Sequence, residues 1–190
     1  MTLDKTRYLV LTAIIGALYF ALTLVSYPIA YGPIQLRLSE SLMLAVPLIP
    51  VAVPGVTLGV FLANFFNPGN LGPVDYIGGT LATLIAALWT RRIHNKMSGA
   101  LDQQDKLWQN RAFYLLPLPS VLVNGAIVGV YLPFLITAPE LPGLSFVITC
   151  IITFSISEAL VVYFLGLPLY ISLRRIPFMR QMNVSWSELP

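Results

Sequence analysis

Residues 41–66 read Ser41-Leu-Met-Leu-Ala-Val-Pro47-Leu-Ile-Pro50-Val-Ala-Val-Pro54-Gly55-Val-Thr-Leu-Gly-Val-Phe-Leu-Ala-Asn64-Phe-Phe66. The run is apolar enough to enter a membrane and too rich in proline for one continuous helix. Each internal proline removes a backbone donor and clashes with the preceding turn. Two helices meeting at a Pro-Gly turn near residues 50–55 are expected instead. Each would have about 12–15 residues and reach ~20 Å, short of a ~30 Å hydrocarbon core. Local thinning or longer neighbours must cover the difference.

The charges support this division. Apolar runs cover 8–28, 41–66, 75–90, 113–136 and 144–173, five in all. Lys5 and Arg7 precede the first run. Arg91, Arg92, Lys96, Lys106 and Arg111 lie between the third and fourth, and Arg174, Arg175 and Arg180 follow the last. The positive-inside rule places all three clusters in the cytoplasm. An even number of crossings must then separate the N-terminus from the central cluster, so the run 41–66 counts twice. The expected fold is an all-α membrane protein, a six-transmembrane-helix bundle with cytoplasmic N- and C-termini. The external connections are 29–40, 67–74 and 137–143, and a polar cytoplasmic loop occupies about 91–112. This loop is too short to form a domain, so residues 1–190 form a single integral membrane domain.

Composition excludes several classes. Hydrophobic residues make up 57% of the chain and charged residues 10%, against roughly 25% charged in soluble domains. Mean hydropathy is +0.79. The stretch from Tyr8 to Val25 is too long for a signal-peptide core and has no small-residue cleavage site after it, so it reads as a retained span. No basic-aromatic pattern points to nucleic acid. Cys150, alone in an apolar run, reads as a packing residue without disulfide or metal role. His94, also alone, reads as a solvated or headgroup-facing residue of the basic loop. No internal repeat is present.

Small residues mark where helices approach. Ala13, Ala17 and Ala21 lie four apart on one face of the first helix, with Gly16 beside them. That stripe either packs the bundle or docks another membrane protein. Gly55 and Gly59, and Gly125 and Gly129, read as packing pairs, as do Gly79, Ala82 and Ala86 of the fourth helix.

Several polar residues stand where apolar ones are expected. Arg37 lies outside the three basic clusters, in Tyr31-Gly-Pro-Ile-Gln35-Leu-Arg37-Leu-Ser-Glu40. Gln35, Arg37 and Ser39 alternate with Ile34, Leu36 and Leu38, the pattern of an extended segment with one polar face. Glu40 opens the second helix, Asp75 opens the fourth after Asn64 and Asn67, Asn124 lies within the fifth and Glu158 within the sixth. A carboxylate at membrane depth costs at least ~2.5–3.5 kcal/mol. It must therefore face the bundle interior, find a partner or take up a proton. The plainer readings are helix capping for Glu40 and Asp75, a surface ion pair between Arg37 and Glu40, and a structural hydrogen bond for Glu158. Tyr27, Tyr31, Phe65, Phe66, Tyr76 and Tyr131 stand near the outer interface, some as an aromatic belt and others able to stack on a planar ring. With them the group suits an outward-facing site for a planar, hydrogen-bonding, neutral or cationic molecule. A guanine-like edge offers adjacent N–H donors to a carboxylate, and its carbonyl needs a donor such as Gln35, Arg37, Asn64 or Asn124. An intramembrane enzyme is disfavoured, because no His pair, metal-ligand spacing or Ser/Lys dyad accompanies the acids. A solitary proton-coupled carrier is the stronger rival, since membrane carboxylates serve proton relays.

The string from Tyr31 to Glu40 resembles the signature of the QueT family, substrate-binding (S) components of energy-coupling factor (ECF) transporters associated with queuosine precursors. Leu58-Gly-Val-Phe-Leu-Ala-Asn64, Gly72-Pro-Val-Asp75, Gly78-Gly-Thr-Leu-Ala-Thr-Leu84, Pro117-Leu-Pro-Ser-Val-Leu-Val-Asn124 and Ser157-Glu158 ahead of Gly166-Leu-Pro168 extend the likeness over nearly the whole chain. The resemblance implies a six-helix bundle that captures a 7-deazaguanine, preQ1 or queuine, from outside. By motif position it implies Tyr31, Gln35, Arg37, Glu40, Asn64, Asp75, Asn124 and Glu158 as substrate-binding candidates. Glu40 or Glu158 would take the pyrimidine edge and Asp75 a cationic aminomethyl group. It implies that Ala13, Ala17 and Ala21 dock the transmembrane coupling subunit, with two ATPase subunits completing an ABC-type importer. The chain has no Gly-x-x-x-x-Gly-Lys-Ser/Thr loop, so ATP hydrolysis falls to those partners. No cofactor is implied.

Overall fold

The computed structural model describes residues 5–31, 35–69, 71–102 and 107–176. Residues 32–34 of the first motif, Asn70, the segment 103–106 with Lys106, and everything after Ile176, Arg180 included, lie outside the described residues. Every regular element among the described residues is helical. In order these are α1 (Lys5–Val25), the short α2 (Tyr27–Ala30), a 3-10 segment (Leu38–Ala45), α3 (Ala52–Phe65) and α4 (Pro73–Asp102). A 3-10 turn (Leu107–Gln109), α5 (Arg111–Leu115), α6 (Leu118–Thr137), α7 (Leu144–Val161), a π turn (Val162–Gly166) and α8 (Leu167–Arg174) follow.

The proline-rich run divides as its sequence requires, with one difference. Its first half is wound as a 3-10 helix, and α-helix begins only at Ala52. A 3-10 helix rises ~2.0 Å per residue against ~1.5 Å for an α-helix, so the eight residues of Leu38–Ala45 reach deeper than an α-helix of the same length. Such long 3-10 runs are uncommon. Here Ser39 through Ala45 are all buried, so packing holds what the backbone geometry holds less well. At the following turn Pro50 removes the N–H that the Val46 carbonyl would take in an α-helix and the Pro47 carbonyl in a 3-10 turn. Arg91 substitutes for it: its Nη1 donates to the carbonyl oxygens of Val46 and Pro47 at 3.2 and 3.3 Å. A residue expected in a cytoplasmic loop is therefore a buried clamp on the turn.

Part of the connection placed at 91–112 is helical. α4 runs on to Asp102, because the stretch Arg91–Leu101 has no proline and is dominated by residues that tolerate helix. His94 is correspondingly buried, not solvated, with its ring edge-on to Tyr170 of α8 at 6.1 Å. Gly166, just before α8, packs against Leu44 of the 3-10 segment, and the π turn there admits Pro168 at the start of α8.

Glycines set the helix spacing as their pattern predicts. A Cβ on Gly55 would stand 2.8 Å from Ile15 Cβ, and one on Gly59 only 2.5 Å from Tyr19 Cβ, so α3 lies against the Gly16 face of α1. On the other side of the bundle, a Cβ on Gly129 of α6 would come within 2.8 Å of Ile151 Cα in α7. Ala13, Ala17 and Ala21 take no part in this packing and are exposed along α1. Three helical stretches are long and apolar enough to cross a bilayer: Lys5–Val25, Arg111–Thr137 and Leu144–Arg174.

Candidate functional site

The segment from Gln35 through the 3-10 helix, α4, α6 and α7 enclose a cavity of about 20 Å³ lined by polar groups together with Val128 and Phe154. Gln35 and Arg37 come from the extended segment ahead of the 3-10 helix and Glu40 from its first turn. Gly79 and Thr83 come from α4, Asn124 and Tyr131 from α6, and Glu158 from α7. Five of the eight binding residues expected from sequence thus share one wall: Gln35, Arg37, Glu40, Asn124 and Glu158. The volume suffices for about one water molecule, so a larger ligand enters only if the walls part.

The two glutamates are buried, 3% exposed for Glu40 and 7% for Glu158. Glu40 neither caps a helix nor pairs with Arg37. Tyr19 of α1 donates to its Oε1 at 2.5 Å, while its Oε2 is buried without a hydrogen-bond partner. Glu158 accepts from the Asn124 amide at 3.1 Å. Each carboxylate thus has one oxygen engaged by the protein. The Gln35 Oε1 atom is buried without a partner as well. A buried acceptor left unmade costs ~1–3 kcal/mol, so the cavity is rich in unmet acceptors.

Arg37 lies 5.0 Å from the centre of the Tyr31 ring, and its Nε donates to the Ala30 carbonyl at 3.0 Å. Tyr31 itself donates to the Ala63 carbonyl at 2.8 Å. Its role is to hold Arg37 in place, and it does not line the cavity. Asp75 stands in the first turn of α4, where the helix dipole favours a carboxylate. It also accepts from the Tyr131 hydroxyl at 3.1 Å, one residue removed from the cavity. Asn64 is 1% exposed, with neither its amide nitrogen nor its amide oxygen bonded. It sits behind Gly79: a Cβ there would be 2.6 Å from Asn64 Nδ2 and 3.4 Å from the Tyr131 hydroxyl.

Of the aromatics expected at the site, Tyr131 lines the cavity. Phe65, Phe66 and Tyr76 instead form an aromatic cluster with Phe61, and Phe66 is 59% exposed. Tyr19, Thr23 and Thr83 were missed from sequence. Thr23 donates to Ser39 at 2.7 Å, beside the Tyr19 bond to Glu40. The signal was present in helical spacing: Gly16, Tyr19, Thr23 and Ser26 follow one another at three or four residues, and all are buried. That inward face lies next to the outward alanine stripe.

A helical bundle with several stretches long and apolar enough to cross a bilayer defines a multi-pass membrane protein, here with a buried cavity of acids and amides. The chain belongs to the QueT transporter family, whose pattern matches residues 9–175. It is 38% identical over 87 residues to the queuosine precursor transporter QueT of Lactococcus lactis subsp. cremoris (strain MG1363), a match covering 45% of this chain. The matched stretch spans about half, 50%, of that relative's length. No solved structure matches.

The Tyr19–Glu40 bond is open to direct test. Tyr19→Phe leaves Glu40 without its protein donor and is expected to lower stability by about 1–3 kcal/mol. In a double-mutant cycle with Glu40→Gln, thermal unfolding of the detergent-solubilised protein should return a coupling of about 1 kcal/mol or more. Additive effects would contradict the bond.

Proposed function

We propose that this chain is the substrate-capture subunit of an ECF-type importer that binds a 7-deazaguanine queuosine precursor from outside. In this reading six helical segments cross the membrane and both termini lie in the cytoplasm. The alternating clusters of Lys and Arg support it. The observation that carries the proposal is the cavity itself. In a QueT-family chain, Glu40 and Glu158 each present one oxygen not already bonded within the protein, beside the unpartnered Gln35 oxygen. A guanine-type heterocycle supplies N–H donors to such acceptors. Asp75, anchored by Tyr131 and next to the cavity wall, suits a protonated aminomethyl substituent. Opening falls to the segment 35–45, whose 3-10 hydrogen bonds have poorer geometry than those of the α-helices around it.

Docking on a coupling subunit and two ATPase subunits is part of the same proposal. Its support is the exposed line Ala13, Ala17 and Ala21, which leaves a smooth face on α1 that no part of the described bundle covers. A solitary proton-coupled carrier is the second reading, favoured by the two glutamates facing one buried cavity. Uptake by vesicles containing this chain alone would favour it, and dependence on ATPase partners would refute it.

Calorimetric titration of the purified protein with preQ1, preQ0 and queuine tests the substrate class, and binding of none of them would contradict it. Glu158→Gln should weaken binding at least tenfold, about 1.4 kcal/mol, with expression intact. Unchanged affinity would remove Glu158 from the site. Ala17→Leu should leave binding intact, since the position is exposed, and abolish partner-dependent uptake. Normal uptake would defeat the docking assignment.

A further inference from the structure

The cavity distinguishes among the residues able to recognise a ligand carbonyl. Each glutamate already has one oxygen engaged, and a carboxylate offers no donor to a carbonyl when ionised. The Asn124 amide nitrogen is committed to Glu158. Arg37 donates through Nε to Ala30, and a guanidinium carries no acceptor at all. Gln35, on the cavity wall, also carries an amide, and its oxygen is buried without a partner. Among these amides, Asn64 is the one whose donor and acceptor are both buried without a hydrogen-bond partner. A 180° turn of the amide exchanges the two atoms and leaves the pair intact.

The amide's position is equally specific. Gly79 lines the cavity, and the Asn64 nitrogen lies 2.6 Å from the point where a Cβ at 79 would stand. Any larger residue at 79 would press on the amide and separate it from the cavity. Burying an amide without partners carries a free-energy cost. A ligand that completes both bonds recovers that cost.

We infer that Asn64, packed directly behind the cavity-lining Gly79, reads a lactam edge of the ligand once the walls part, an edge in which a ring N–H stands beside a ring carbonyl. The Asn64 oxygen accepts from the ring N–H and its nitrogen donates to the carbonyl. The exocyclic amine is left to the glutamates. This rests on the heterocycle-binding reading above and adds which edge is recognised and by which residue. It makes Asn64 the determinant that separates a 2-amino-4-oxo ring from its 2,4-diamino counterpart, in which the carbonyl becomes an amine and the adjacent ring N–H an acceptor nitrogen. A site built to hydrogen-bond one pattern rejects the other strongly, because its buried groups go unpaired.

The test is a titration of preQ1 and of its diamino analogue against the wild-type protein, Asn64→Asp and Gly79→Ala. Wild type should prefer preQ1 by about 100-fold or more. Asn64→Asp replaces the donor with an acceptor and should cut that preference at least tenfold, mainly by weakening preQ1. Gly79→Ala retains the amide but displaces it, and should also reduce the preference. If wild type prefers preQ1 and either variant keeps the full preference, the lactam assignment to Asn64 is overturned while the heterocycle-binding reading stands. If wild type binds preQ1 and the analogue equally, the assignment is overturned as well. If wild type binds neither, both readings fall together. A variant that does not fold leaves the other to decide.

Discussion

Two carboxylates held out of water at the centre of a helical bundle are the constraint around which the protein is arranged. Glu40 and Glu158 face one cavity, each with a single protein hydrogen-bond donor, from Tyr19 and Asn124 respectively. An acid at such depth carries a desolvation cost of several kcal/mol. The bundle meets only part of it. The Glu40 Oε2 and Gln35 Oε1 at the cavity, and the Asn64 amide behind Gly79, are left without partners.

The proline-rich run serves this arrangement. Winding Leu38–Ala45 as a 3-10 helix brings Glu40 into the bundle and still returns the chain in time for α3 to start at Ala52. Arg91 closes the turn by replacing the donor that Pro50 lacks. Ser39 and Glu40 are then held from the α1 side by Thr23 and Tyr19. The same helix thus carries, on adjacent faces, the groups that hold the site and the alanine line exposed to the membrane.

The helical, membrane-embedded class was legible from composition and from the length of the apolar runs. So was a break close to Pro50, because a missing N–H is a local fact, but it falls at residues 46–51, and Pro54 and Gly55 lie inside α3 instead of forming the turn. The positions of Gln35, Arg37, Glu40, Asn124 and Glu158 around one cavity were approached through their oddity in apolar surroundings. Polarity was misleading where it stood for burial. Arg91 and His94 looked like loop residues, yet α4 continues beneath α8 and buries both. Aromatic content was also a poor guide: Phe65, Phe66 and Tyr76 gather on each other, whereas Tyr19, within an apolar stretch of α1, reaches the acid. Which oxygen of each glutamate is engaged depends on helix rotation and packing between distant segments, and local sequence does not encode that.

The most direct measurement is an experimental structure of the protein with preQ1 bound. The account predicts ligand density between Glu40 and Glu158, with ring or amine nitrogens within hydrogen-bond distance of the two glutamates. Density seated elsewhere, with Glu40 and Glu158 bonded only to protein groups, would contradict it.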